Sequence, residues 1–209
     1  WDVKGLEEID MRVLRNLQSA LRQGEWKVTV AVHRGLRITA VWPGFKDKAY
    51  GIAFDIGSTT IAAHLCDLAT GEVLESDGTM NPQIRFGEDL MSRVSYIMMN
   101  PGGEDHLIKS VRRAVSDLAK DVIDASGVTP DAVLNMTVVG NPIMHHLFLG
   151  VNPIELGGAP FALATSSGMT VWATEVGLDT VNEDARVYML PCIAGHVGSD
   201  TAGVILSEE

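Results

Sequence analysis

Few cysteines, few basic residues and no long apolar run set the first limits on this chain. Cys66 and Cys192 are its two cysteines, they lie far apart, and no CxxC or Cys/His run has metal-ligand spacing. This stretch therefore carries no signature of an iron–sulfur cluster or a structural zinc. Two isolated cysteines fit a reducing, intracellular setting, and a cytoplasmic protein is expected. Lys and Arg number 16 against 27 Asp and Glu, the formal net charge is −11 and the pI is near 4.9. Broad surfaces for nucleic acid or anionic membrane need the opposite sign, so neither partner is expected. No apolar run approaches the roughly 18 residues of a spanning helix. No charged start leads into an apolar segment, so no signal peptide is expected. The chain opens on Trp1 instead of Met, which reads as part of a longer polypeptide. A Walker A loop and a GxGxxG fingerprint are absent too.

The composition that remains is ordinary for a globular protein, with 46% apolar and 21% charged residues among 209. That length suits one large domain or two small ones and can bury a core without staples. Leu6, Ile9, Val13, Leu14, Leu17 and Leu21 recur at three- and four-residue spacing and predict a helix over Val3 to Leu21, stopped by Gly24. Two β-like runs follow, Trp26 to Val32 and Leu36 to Val41, turned by His33-Arg34-Gly35. Pro43-Gly44 and the charged Lys46-Asp47-Lys48 place a domain boundary near residue 48.

Beyond it, strands are expected over Tyr50 to Asp55, Ile61 to Asp67 and Glu72 to Ser76, a meander instead of a βαβ unit. Met80 to Phe86 reads as loop. Helical periodicity covers Asp89 to Met99 and His106 to Ser126, closed by Gly127. Val133 to Val139 is a continuous apolar strand of the kind found inside a covered sheet. Pro142 to Phe148 predicts a short helix, Val187 to Leu190 a strand, and Gly198 to Leu206 a last helix. The order is that of a mixed α/β layer fold with an antiparallel edge.

The stretch richest in chemistry is Phe54 to Ala62. Asp55 ends an apolar strand, Gly57 opens a tight turn, and Ser58, Thr59 and Thr60 follow before a second strand. Gly57 permits close backbone approach, successive N–H groups can point at phosphate oxygens, and the hydroxyls add hydrogen bonds. A carboxylate at the strand end can hold Mg²⁺ through water. A plain hairpin with Ser and Thr bonded to local backbone explains the same residues as well.

Asp55-Ile56-Gly57-Ser58-Thr59-Thr60 is similar to the first phosphate loop of the actin, sugar-kinase and heat-shock-chaperone ATPase superfamily. Three further stretches narrow the resemblance: Val139-Gly140-Asn141-Pro142 and the helix to Gly150, Asn152 to Phe161, and Pro191 to Gly203. Together they resemble the ATP-dependent reductive activators of corrinoid proteins. The resemblance implies an actin-like (ribonuclease H-like) lobe over residues 49–209, incomplete, preceded by the end of a middle or linker domain over 1–48. It implies ATP and Mg²⁺ as cofactors, with Asp55, Gly57, Ser58, Thr59 and Thr60 on the nucleotide, Asp55 also holding Mg²⁺ through water, and Asp200 orienting water or metal. Asp200 reads equally as an N-cap. A [2Fe–2S] ferredoxin-like domain is expected in the full-length protein and not in this chain. The second phosphate loop and the adenosine motif are missing, so this part alone should not hydrolyse ATP efficiently. The implied task is restoring Co(I) in the corrinoid protein of a methyltransferase system, with a homodimer left open. A non-catalytic docking module, or another kinase or activating ATPase on the same fold, are the alternatives.

Other residues read as structural. His145-His146 point about 100° apart on a helix, so one buried and one exposed ring is expected in place of a ligand pair. Asn141 shapes a turn, Cys66 is core, and Cys192 lies near the cleft without a group that would lower its pKa. Met80, Met91, Met98 and Met99 read as packing. His196 stands where the family often has an aromatic, and solvent exposure is expected of it.

Overall fold

The computed structural model describes residues 8–208. The chain folds into two units, 1–49 and 50–209.

In the first unit, β1 (Glu8–Ile9) runs parallel to β3 (Arg37–Pro43), which pairs antiparallel with β2 (Val28–His33). Helix α1 (Met11–Gln23) buries Val13 and Ala20. This corrects the expected helix start. Residues 3–7 of that helix lie outside the described residues, and Glu8–Ile9 is strand. The sheet wins locally because Asp10 donates its N–H to the Ile38 carbonyl at 3.0 Å, and Arg37 forms an ion pair with Glu8 and approaches Asp10 at 3.8 Å. Leu14, on the expected apolar stripe, is 49% exposed. Gly24 does end the helix, donating to the Ala20 carbonyl at 2.9 Å.

Alternation builds the second unit. On β4 (Tyr50–Ile56) the side chains of Ile52, Phe54 and Ile56 are buried while Ala53 and Asp55 are exposed. On β5 (Thr60–Asp67), Ile61, Ala63 and Leu65 are buried and His64 is exposed. A period of two with one apolar face is what a half-covered sheet requires. β4, β5 and β6 (Val73–Met80) form the antiparallel meander. β7 (Val133–Gly140) and β9 (Arg186–Met189) add in parallel, and β8 (Met169–Trp172) closes the far edge antiparallel, giving the order β6-β5-β4-β7-β9-β8. β8 was not anticipated from the sequence; only pairing with β9 identifies it as strand.

Helix α3 (Gly103–Ser126) packs on β5 and β6 through Leu107, Val111, Val115, Leu118 and Val122, all at three- or four-residue spacing and all buried. Each such side chain contributes roughly 1.5–3 kcal/mol on full burial. Gly127, at φ 72°, ends it in the left-handed region where glycine is favoured. Helix α4 (Pro142–Leu149) is buried from Pro142 to Phe148, as a helix apolar nearly all round must be. α2 (Leu90–Met99) and α5 (Ser199–Ser207) complete the set. The mixed α/β lobe with an antiparallel edge is the fold that the element order predicts.

Candidate functional site

The chain leaves the core at the carboxyl end of β4, where alternation turns Asp55 outward between buried Phe54 and Ile56. Gly57 then donates its N–H to the Thr60 carbonyl at 2.9 Å. A Cβ on Gly57 would stand 2.7 Å from that oxygen, so only glycine fits the turn. The other carbonyls are held from inside the lobe. Asn81 Nδ2 donates to Gly57 O at 2.8 Å, the Asn81 N–H to Thr59 O at 2.7 Å, and Arg93 Nη2 to Ser58 O. Four consecutive carbonyls, Gly57 to Thr60, are thus taken. Among the described residues no acceptor meets the N–H groups of Ser58 and Thr59 or the hydroxyls of Ser58, Thr59 and Thr60. The backbone groups the turn has left are N–H donors, and its free hydroxyls can turn their O–H the same way, which is the chemistry of an anion nest.

Beside it ends β7, parallel to β4 with Asp55 opposite Val139 and Ile56 opposite Gly140. A Cβ on Gly140 would approach Ile56 O to 2.8 Å. Asn141 caps α4, its side-chain oxygen accepting from the Met144 N–H at 3.0 Å, with Pro142 at the first helical position. The buried Ser199 hydroxyl accepts from the Gly140 N–H at 3.0 Å and donates to its carbonyl at 3.0 Å, clasping α5 to β7. Gly198 is the N-cap and α5 begins at Ser199, so Asp200 lies in the first turn and the N-cap alternative for it does not hold. Its carboxylate accepts from the Thr201 N–H at 2.8 Å.

The two acidic residues singled out in the sequence share one hollow of about 480 Å³, lined by Asp55, Val139, Asp200, Thr201 and Val204 among others. The hollow's walls shield part of Asp55. That burial, and second the charge of Asp200, push its carboxyl up from its ordinary value, against a smaller pull from His64. Two repelling carboxylates, one at the end of β4 and one in the first turn of α5, suit a divalent cation, and open α/β sheets bind ligands outside the carboxyl ends of their strands. A larger groove, about 970 Å³, lies between β6 and α3. Its lining mixes Arg85, Lys109 and Arg113 with Asp77, Asp117 and Asp121, Arg113 already faces Asp117 at 3.7 Å, and no single-sign donor set converges there.

Asn81, Gln83, Arg93 and Ser199 were missed by sequence reasoning, and all four are fully buried. Signals in the sequence pointed to two of them, Asn81 and Arg93. Asn81-Pro82 repeats the cap-then-proline pattern of Asn141-Pro142, and Arg93 sits on the apolar stripe of α2 with Leu90, Val94 and Ile97.

The histidine pair corrects an expectation, because both rings are buried, at 1% and 2% exposure. His146 Nε2 accepts from the Ala164 N–H at 3.0 Å, which puts its proton on Nδ1, donating to Pro142 O at 2.7 Å. Burial pushes its pKa down. Neither ring nitrogen of His145 has a partner at hydrogen-bonding geometry. Burial, then the neighbouring His146, lower His145 to about 4, although the Leu190 backbone lies close enough to oppose the shift. The methionines are also corrected: Met80, Met91, Met98 and Met99 are 48–74% exposed and do not pack the core. Cys66 is half-buried, Cys192 is buried, and burial raises both thiols. His196 is exposed, its ring 4.0 Å from that of Phe161.

A mixed sheet with an N-terminal antiparallel meander and parallel inner strands defines an actin-like lobe. Residues 50–209 match the family described as RACo middle region and residues 1–48 the family described as RACo linker region, so the chain belongs to the reductive activators of corrinoid proteins. It is 32% identical over 160 residues to the corrinoid activation enzyme RamQ of Eubacterium limosum, covering 75% of this chain and 26% of that protein. It superposes with a TM-score of 0.85 on a solved reductive activator for corrinoid, iron-sulfur protein, at 32% identity, covering 95% of this chain and 32% of that one. The chain thus spans about a quarter to a third of these relatives.

Proposed function

We propose that residues 50–209 are the first lobe of an ATPase domain and supply the first phosphate-binding loop of an ATP-dependent activator that restores Co(I) in a corrinoid protein. The observation that carries this is the turn at Ser58–Thr60, with its unmet N–H donors, following directly on the strand whose Asp55 shares a hollow with Asp200. The N–H groups and hydroxyls of Ser58, Thr59 and Thr60 hold phosphate oxygens. Asp55 holds Mg²⁺ through water, in keeping with an ion that retains most of its hydration shell, and Asp200 orients water or metal in the same hollow. Bound there, Mg²⁺ neutralises phosphate charge, and ATP supplies the free energy. The lobe contributes differential affinity: a closed state that grips the polyphosphate is favoured over an open one, and that preference drives the conformational change which reduction of Co(II) needs.

Among the described residues no group of three or more His, Cys, Asp or Glu could hold a metal ion, and two cysteines cannot supply the four thiolates of a [2Fe–2S] cluster. In this reading the single electron delivered to cobalt comes from the [2Fe–2S] ferredoxin-like domain of the full-length protein. The partners in this reading are ATP and a corrinoid protein. Among the described residues no helix is long and apolar enough to cross a membrane.

Calorimetric titration of Mg-ATP into the full-length protein, wild type beside Asp55→Ala, tests the reading. Binding that Asp55→Ala abolishes or badly weakens is expected. A wild type that binds no nucleotide sinks it and leaves a docking module on a borrowed fold.

A further inference from the structure

Arg93 is the largest fully buried side chain in the described structure, and it does not face a carboxylate. Its guanidinium donates to Ser58 O, to Gly87 O at 3.0 Å, to Gln83 Oε1 at 3.2 Å and to Met144 Sδ at 3.5 Å. All four acceptors are neutral. Arg93 makes no ion pair among the described residues; the acid that acts on it is Asp89, the exposed N-cap of α2. Guanidinium stays protonated, so a full positive charge is buried without a counter-ion.

Holding the turn does not require that charge. Asn81 performs the same task on Gly57 and Thr59 with a neutral amide and a backbone N–H. Nor is the charge diluted by water, since Asn81, Gln83 and Arg93 are all 0% exposed. What lies across the Ser58 peptide from the guanidinium is the turn with its unmet N–H donors. A cation behind a nest of N–H groups adds a long-range attraction that a neutral donor lacks, and low surrounding dielectric strengthens it.

We infer that Arg93 is a positioning residue and a buried counter-charge for the ligand of this turn, selecting a polyphosphate over ligands with less phosphate charge. It holds Ser58 O inward, which keeps the Ser58 and Thr59 N–H groups free, and its charge is neutralised only when phosphates arrive. Gln83 holds Arg93 in turn, its Nε2 anchored on Leu107 O at 2.9 Å. This rests on the phosphate-loop reading above.

The test is calorimetry on the full-length protein with Mg-ATP, ADP and AMP, for the wild type, Arg93→Gln, Arg93→Lys and Gln83→Glu. Arg93→Gln should weaken Mg-ATP about ten- to hundredfold, the range for losing a hydrogen bond to a charged group. The loss should shrink from ATP to ADP to AMP, and Arg93→Lys should restore part of it. Gln83→Glu keeps Arg93 and neutralises it from inside, so it should weaken ATP more than AMP even if Arg93→Gln does not fold. Equal losses for all three nucleotides, or a folded Arg93→Gln that binds ATP as the wild type does, overturn the inference while leaving the phosphate loop standing. A wild type that binds no ATP overturns the parent reading and this inference with it.

Discussion

Two strand-end turns lie side by side in the lobe, and they spend their polar groups differently. After β7, the Gly140 N–H and carbonyl are both taken by Ser199, and Asn141 caps α4. After β4, carbonyls are taken but the N–H groups of Ser58 and Thr59 are not. Both follow a parallel strand and both need a glycine that a Cβ would spoil. At Gly140 both donor and acceptor are paired within the protein, which fixes that turn as architecture. A turn that is satisfied on the acceptor side alone has capacity left for an anion.

The comparison can be broken from the β7 side first. His145, on the helix that the second turn opens, has its folded pKa lowered to about 4 from 6.5. A base with a depressed folded pKa is neutral in both states above 6.5; below that the unfolded chain takes up the proton first. Stability is therefore lost as pH falls from about 6.5 to about 4, by up to roughly 3 kcal/mol. Urea unfolding at pH 7 and pH 5 should show the fall, and His145→Phe should flatten it.

Next, Ser199→Ala strips both partners from Gly140 and should cost about 1–3 kcal/mol, since a buried N–H is left unmet. Urea unfolding measures this, and nucleotide affinity should fall only as far as Asp200 loses its place. On the β4 side the pattern should reverse. Ser58→Ala removes one hydroxyl that no protein group uses, so unfolding should be unchanged within about 0.5 kcal/mol. Mg-ATP binding to the full-length protein should weaken by about 0.5–1.5 kcal/mol. The smallest effect sharpens the electrostatics. Asp200→Asn removes a charge that raises Asp55, so the Asp55 carboxyl should titrate lower, as read by carboxyl-carbon NMR.

Much of the lobe was legible in the sequence because its elements are periodic. Ile52-Phe54-Ile56 against Ala53-Asp55 announces a half-covered strand, and Leu107 to Val122 announces a helix face. The start of α1 was misread because Ile9 fits a helical stripe equally well, and only pairing with Ile38 reveals it as strand. His145 and His146 were divided between core and solvent because adjacent helical positions diverge; α4 is covered all round, so both are buried. The exposed methionines mislead in the opposite sense, since a methionine's hydrophobicity does not say whether a neighbour covers it.

By itself the sequence determined what short-range physics determines: the alternating strands, the long amphipathic helix, the glycine-bearing turn after Asp55, and a charge balance unsuited to nucleic acid. Tertiary structure alone decided which groups meet. Asp55 and Asp200 are 145 positions apart and converge only because β7 lies parallel to β4 and Ser199 clasps α5 to its end. The guanidinium of Arg93 reaches Ser58 across 35 positions, because α2 folds its apolar stripe, arginine included, behind the turn. Hydrogen bonds are directional and reach about 3 Å, so which donors stay free is a property of the assembled fold and not of any stretch of the chain.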